Sequence, residues 1–287
     1  MASYRFCRPD DVSLLVKAIN NCYPVHYSKE SKESRLWDEV LFKKYMHEWD
    51  LWPGCCVVAT HDGEPISVLI AAKRDKNVRL MVVATQPNFV REGHASHLLD
   101  SLRQKLNILA PGTCIEALIP DQRQDLQAFF MSQNYELNQS YLDYNIVSDQ
   151  LIDDSNQNLL CQKIDVAELE EIAFFQNRDH ISWEQKARSM IKGAKNINAL
   201  SIPSVDGFIA YVLYEQGANA KQADILGFGS DVEQAKPLLY TKLFLELKKL
   251  GYQTACIRRL NKKDDDQVLL KEIGFKETQE YHLYCNQ

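Results

Sequence analysis

The chain has 287 residues, of which 45% are hydrophobic and 25% charged, with a formal net charge of -6. That is room for two domains of ordinary size and the balance of a soluble globular protein, not a disordered or fibrous one. The mild acidity repels phosphate backbones and argues against a nucleic-acid partner, while a local basic groove for one anionic cofactor remains compatible with it.

Residues 4–7 read as a strand, and Arg8-Pro-Asp-Asp offers Pro and acids where a helix N-terminus favours them. Val12, Leu15, Val16 and Ile19 have helical spacing, which carries that helix to about Asn21. A second amphipathic helix is expected over 36–49, with Trp37, Val40, Leu41, Tyr45 and Trp49 on one side. Strands at 55–60 and 66–72 are joined by His61-Asp-Gly-Glu-Pro and read as a hairpin. A third strand-like run covers 78–85, followed by a helix at 93–108, a strand at 114–119, a short helix at 125–132 and a strand at 135–147.

The polar, acidic stretch 148–160 reads as a linker. Beyond it the same order returns: helices at 165–175 and 183–193, strands at 199–202, 207–215 and 223–228, a long helix at 232–250, a strand at 255–260, a helix at 266–273 and a final strand at 276–285. The two tails also superpose at one constant offset, with Asn134 on Gly274, Tyr141 on Tyr281 and Tyr144 on Tyr284. Duplication is the better reading of that correspondence, with domains at 1–147 and 161–287.

Eight cysteines are scattered without a Cys-x-x-Cys or a paired Cys/His spacing, and most lie in apolar stretches. They are expected to be reduced, buried thiols and not a disulfide framework or metal site. No apolar run approaches the roughly 20 residues that span a bilayer. The first ten residues lack the apolar core of a secretion signal, so a cytoplasmic protein without a membrane partner is expected.

The informative segment is Val82-Val-Ala-Thr-Gln-Pro87-Asn-Phe-Val-Arg91-Glu-Gly93-His-Ala95-Ser-His. A β-branched strand ends at a Pro-bearing turn, and a polar loop with one glycine opens a helix whose Leu98, Leu99, Leu102 and Leu106 face a core. Free N–H groups and a partial positive charge at a helix N-terminus can hold a diphosphate. Gly93 and Ala95 would let that backbone approach the phosphates, and Arg91 could add charge. His94 and His97 read as polar lining of this loop rather than metal ligands.

This segment resembles the acetyl-CoA motif of the GNAT superfamily, Pro-x-x-[Gln/Arg]-x-x-Gly-x-[Gly/Ala], with Pro87, Gly93 and Ala95 matching and Val90 in the Gln/Arg slot. The resemblance implies an α+β fold with a mixed sheet, the acyl-CoA N-acyltransferase fold, and the duplication implies two copies of it. It further implies that Val83, Ala84 and Thr85 line the pantetheine arm, that Val90 offers its backbone N–H, and that Arg91, Glu92, Gly93, His94, Ala95 and Ser96 surround the pyrophosphate. The function implied is transfer of acetyl from acetyl-CoA, as co-substrate and without a metal, to a small-molecule or protein amine by direct attack.

Two departures bear on catalysis. The slot for the family's proton-donating tyrosine, four residues before a Gly-Phe pair, is Phe130, and residues 77–85 contain no carboxylate. Glu116 is the nearest candidate base, and its alternation with Ile115 and Ala117 equally fits a solvated strand residue. His26 and Tyr27 are candidates for an acceptor pocket, or for plain aromatic packing. The eroded slots also allow a non-catalytic CoA- or metabolite-binding module. The second half has no glycine loop after its third strand, and Asp231 and Glu233 there suit a helix N-cap but would repel a pyrophosphate. A homodimer is left open, because a fused pair can satisfy by itself the interface that single-domain relatives make by dimerising.

Overall fold

The computed structural model describes residues 2–23, 37–74, 76–150, 159–165, 197–205, 207–217 and 219–286. The chain forms two compact units, one of Met1–Asn138 with Leu283–Gln287 and the other of Gln139–His282.

The first unit runs β1 (Ser3–Phe6), α1 (Val12–Cys22), α2 (Glu39–Glu48), β2 (Val57–His61), β3 (Glu64–Arg74), β4 (Asn77–Thr85), α3 (His94–Leu109), β5 (Cys114–Pro120) and α4 (Gln124–Ser132). Its sheet has the order β1-β2-β3-β4-β5, with the last residues of β12 (Lys276–Cys285) beyond β5. Neighbours from β1 to β4 are antiparallel, and β4 and β5 are parallel, joined through α3.

Helices on both faces explain why Ile66–Ala72 is buried throughout and reads as a continuous run and not an alternating one. Val58, Val68 and Ile70 turn to α1 and α2, where Leu15, Ala18, Ile19 and Phe42 are buried. Val57, Ala59, Leu69 and Ala71 turn to the opposite side and meet Leu98, Leu99, Leu102 and Leu106 of α3. Burial of each of these α3 leucines contributes about 1.5–3 kcal/mol, and it locks the N-terminus of α3 against the end of β4.

In the first unit the chain end acts as a strand. Asn286 N donates to Ile115 O at 3.1 Å, and Ile115 N donates to Asn286 Oδ1 at 2.6 Å. Tyr284, 5% exposed, joins the α3–α4 core and donates its hydroxyl to Gln127 Oε1 at 3.2 Å.

The second unit holds β6 (Glu136–Val147) from Gln139 on, β7 (Gln162–Ile164), β8 (Asn198–Ser204), β9 (Gly207–Gln216), β10 (Gln222–Ser230), α5 (Lys236–Lys249), β11 (Thr254–Asn261), α6 (Asp266–Ile273) and β12 up to His282. Its order is β12-β6-β11-β10-β9-β8-β7, again with one parallel pair, β10 and β11, joined through the long helix. Tyr240, Leu243, Phe244 and Leu247 of α5 fill its core with Phe228, Ile257 and Leu270.

Several expectations are adjusted. The long helix starts at Lys236, not 232, because Pro237 near its start has no N–H and its ring clashes with a preceding helical turn; a 3-10 turn, Glu233–Ala235, leads in. β7 is three residues long, too short to leave a periodic pattern. Beyond Asp165, the helices expected at 165–175 and 183–193 lie outside the described residues, as does 151–158 of the expected linker; Ser148–Gln150 form a 3-10 turn. All eight cysteines are free, and burial pushes the Cys22 thiol up to about 12 and Cys55 to about 11, which keeps them protonated and unreactive. Among the described residues no helix is long and apolar enough to cross a membrane.

Candidate functional site

The site begins where two strands part. β4 and β5 pair from Asn77↔Cys114 to Leu80↔Ala117 and no further. On its other edge β4 stays paired with β3 as far as Ser67↔Thr85, with Met81 as a bulge between Ala71↔Leu80 and Ile70↔Val82. A bulge bends its strand and increases the local twist, so from Met81 on β4 turns away from β5. Met81 to Thr85 are half-buried there, with a backbone edge that no strand covers among the described residues. Ser67 Oγ fixes this stretch from the β3 side, donating to Ala84 O at 3.0 Å and lying 2.8 Å from Thr85 Oγ1.

The loop after β4 is equally specified. Gln86 N donates to Ile66 O at 2.8 Å, and a 3-10 turn over Pro87–Phe89 leads to an extended Val90. Arg91 (φ 71) and Gly93 (φ 83) are left-handed, and Gly93 is the N-cap of α3 with no side chain to cap it. The first helical bond runs from His97 N to Gly93 O at 3.0 Å. Val90 and Arg91 form a hydrogen-bonded turn that closes on the Glu92 N–H, while among the described residues no acceptor meets the amides of residues 93–96. A Cβ on Gly93 would find nothing within 4 Å, so the space beside Gly93 is open. Val90 and Arg91 are exposed at its rim.

The strand end with Val83, Ala84 and Thr85, and the loop with residues 90–96, thus form one strand–turn–helix corner. His94 contributes its amide to that corner, but its ring turns inward and is 8% exposed. Nδ1 lies 2.6 Å from Tyr4 Oη on β1, and Nε2 lies 3.3 Å from Glu92 Oε2. The Tyr4 ring packs against His97 with centroids 4.0 Å apart. Nothing local in the sequence pairs Tyr4 with a residue ninety positions away; the strand order does. Among the described residues no group of three His, Cys, Asp or Glu side chains gathers as a metal ion would require.

Glu116 is neither solvated nor free. It is 5% exposed, and Oε1 accepts from Arg79 Nε at 3.0 Å and Nη2 at 2.9 Å, with Arg79 itself 4% exposed. The two sit opposite each other one rung before β4 and β5 part. The solvated-strand reading of Glu116 is therefore corrected: the parallel register delivers a cation to its side. Phe130 is 2% exposed and packs edge-on against Phe129 and Tyr135 in the core. His26 and Tyr27 lie outside the described residues.

The second unit repeats the parting but not the loop. β10 and β11 pair from Gln222↔Thr254 to Ile225↔Ile257, and β10 carries its own bulge at Leu226. The following helix is entered through the 3-10 turn, whose Glu233 holds Lys236 Nζ at 2.7 Å, while Asp266 holds it at 3.1 Å. That corner is already supplied with internal anions.

A sheet whose parallel pair parts beyond a bulge, with a helix returning from the parting, defines the GNAT fold, and the chain carries it twice. Solved structures agree in the same terms. A tandem GNAT protein from the clavulanic acid biosynthesis pathway aligns at TM-score 0.68 and 11% identity, over 99% of this chain and 98% of that one. A GCN5-related N-acetyltransferase from Sphaerobacter thermophilus aligns at TM-score 0.65 and 14% identity, over 99% and 95%. One from Anabaena variabilis aligns at TM-score 0.66 and 11% identity, over 99% and 72%. At these identities the likeness is one of fold. No family model and no curated protein matches the sequence.

Proposed function

We propose that the chain is an acyl-CoA-dependent N-acyltransferase that moves an acetyl group from acetyl-CoA to an amine, with the co-substrate held by the first unit. The observation that carries this reading is the corner at residues 83–96: the amides of residues 93–96, without an acceptor among the described residues, stand beside an unobstructed Gly93 where β4 leaves β5. Bound there, acetyl-CoA supplies an activated thioester. The amides of residues 93–96 bind its diphosphate with help from the α3 dipole and Arg91. The free edge of Val83–Thr85 orients the pantetheine arm, and backbone N–H groups at the parting strands polarise the thioester carbonyl. The amine attacks directly, with no covalent intermediate on the protein.

Proton handling follows from what the side chains are free to do. Glu116 is committed to Arg79, which suits it to holding β4 and β5 in register more than to removing a proton. Phe130 has no proton to give. The thiolate is a good leaving group, and water chains can carry the protons. The acceptor is a small-molecule or protein amine, and no metal takes part.

Acetyl-CoA at one hundred times its Kd should stabilise the fold by about 2.7 kcal/mol, read as a rise in Tm. An absent shift at millimolar acetyl-CoA sinks the proposal. The commitment of Glu116 and the burial of Phe130 favour a second reading, a CoA-binding module without turnover. Free thiol released from acetyl-CoA over a broad amine panel separates the two: a thermal shift without any thiol release favours the second.

A further inference from the structure

We infer that His94 and Tyr4 keep the diphosphate-binding amides available by holding the Glu92 carboxylate to one side; they are positioning residues, and the inference rests on the acyl-CoA reading of that corner. Glu92 is the one carboxylate between Pro87 and Ser96, and it directly precedes the uncapped start of α3. A carboxylate in that position is drawn to free amides and to the positive end of the helix. Left to itself, Glu92 would cap the helix and stand as an internal competitor in front of an anionic ligand.

The geometry supplies the restraint. His94 Nε2 lies 3.3 Å from Glu92 Oε2, and His94 Nδ1 lies 2.6 Å from Tyr4 Oη. With the tyrosine hydroxyl donating to Nδ1, the ring proton sits on Nε2 and is donated to Glu92. The strut has a firm base. Tyr4 pairs with Ala59 in the sheet, its ring rests on His97 at 4.0 Å, and the His94 ring is itself buried, with Phe89 alongside at 6.2 Å between centroids. A buried histidine bound at both nitrogens has one orientation, and it offers the half-exposed Glu92 carboxylate a donor in a fixed place.

The experiment is a double-variant cycle with two readouts. CoA affinity is measured by calorimetry, and exchange of the Ala95 and Ser96 amide protons with water by NMR on ligand-free protein. His94→Ala should weaken CoA binding about tenfold and slow exchange at both amides as Glu92 caps them. The double variant His94→Ala/Glu92→Ala should bind CoA as tightly as Glu92→Ala alone and restore fast exchange. Tyr4→Phe, which keeps the ring packing and removes one hydrogen bond, should shift both readouts in the direction of His94→Ala and be rescued the same way. Equal losses of affinity with and without Glu92, or amide exchange indifferent to Glu92, overturn the inference. If wild-type protein fails to bind CoA, the functional reading falls, while the exchange data still decide the role of His94.

Discussion

Gly93 occupies a left-handed backbone, φ 83, with open space where a side chain would project. Replacing it therefore costs the strain of that conformation, about 1–2 kcal/mol, and brings no clash. Gly93→Trp should fold, melt slightly lower by calorimetry, and lose the Tm rise on adding acetyl-CoA, because the indole fills the open space beside Gly93. A second prediction at this scale concerns Asp11. The Arg5 guanidinium, bound to both its oxygens at 2.8 and 2.9 Å, and then the Arg8 amide at 2.7 Å hold its carboxyl down at about 2. A depressed carboxyl adds stability above the ordinary value near 3.9, and that stability is lost as pH falls toward 2. NMR titration should find the Asp11 midpoint near 2, and Arg5→Ala should move it upward. Some of this scale is legible in the sequence. Gly93 and Ala95 announce themselves because turn and helix mouth are local, whereas the partner of Glu116 depends on a parallel register set by a crossover and has no local signature.

At the scale of elements, the bulge at Met81 and the end of pairing at Leu80↔Ala117 part β4 from β5, and the Arg79–Glu116 pair stands just before that point. Arg79→Met leaves a buried carboxylate without this partner and should cost about 3–5 kcal/mol, read as a lower midpoint in urea. The double variant Arg79→Met/Glu116→Leu should recover much of that, since apolar packing can replace a buried pair. Glu116→Gln separates roles: loss of stability with turnover per folded molecule retained fits a structural pair, and loss of kcat with stability kept would make Glu116 the base. Helical periodicity made the core faces of α1 and α3 readable. The bulge was not, because Asn77–Thr85 reads as one uninterrupted strand and only its neighbour β3 reveals the extra residue. Likewise Pro237 was in plain view, yet the apolar run around it hid its effect on the start of α5.

On the whole molecule, the two units share one fold and differ at the same corner. The first leaves amides open; the second sets Glu233 and Asp266 around Lys236. Calorimetry should therefore find one CoA per chain, with enthalpy abolished by Gly93→Trp and insensitive to Lys236→Ala. The order of elements was readable from pattern alone in the first half and from β8 onward in the second, but β7 was not. What no local pattern reveals is that Leu283–Gln287 count with the first unit, since strand neighbours are chosen by the assembled sheet. That assignment has a consequence for synthesis. A nascent chain must present everything from 139 to 282 before Tyr284 and Asn286 can reach α4 and β5, so the first unit is finished only after the other has been made. A fragment ending at 147 should emerge with an unfinished flank beside Ile115 and a missing aromatic plug, prone to stick to chaperones, and supplying the tail as a separate peptide should mend it.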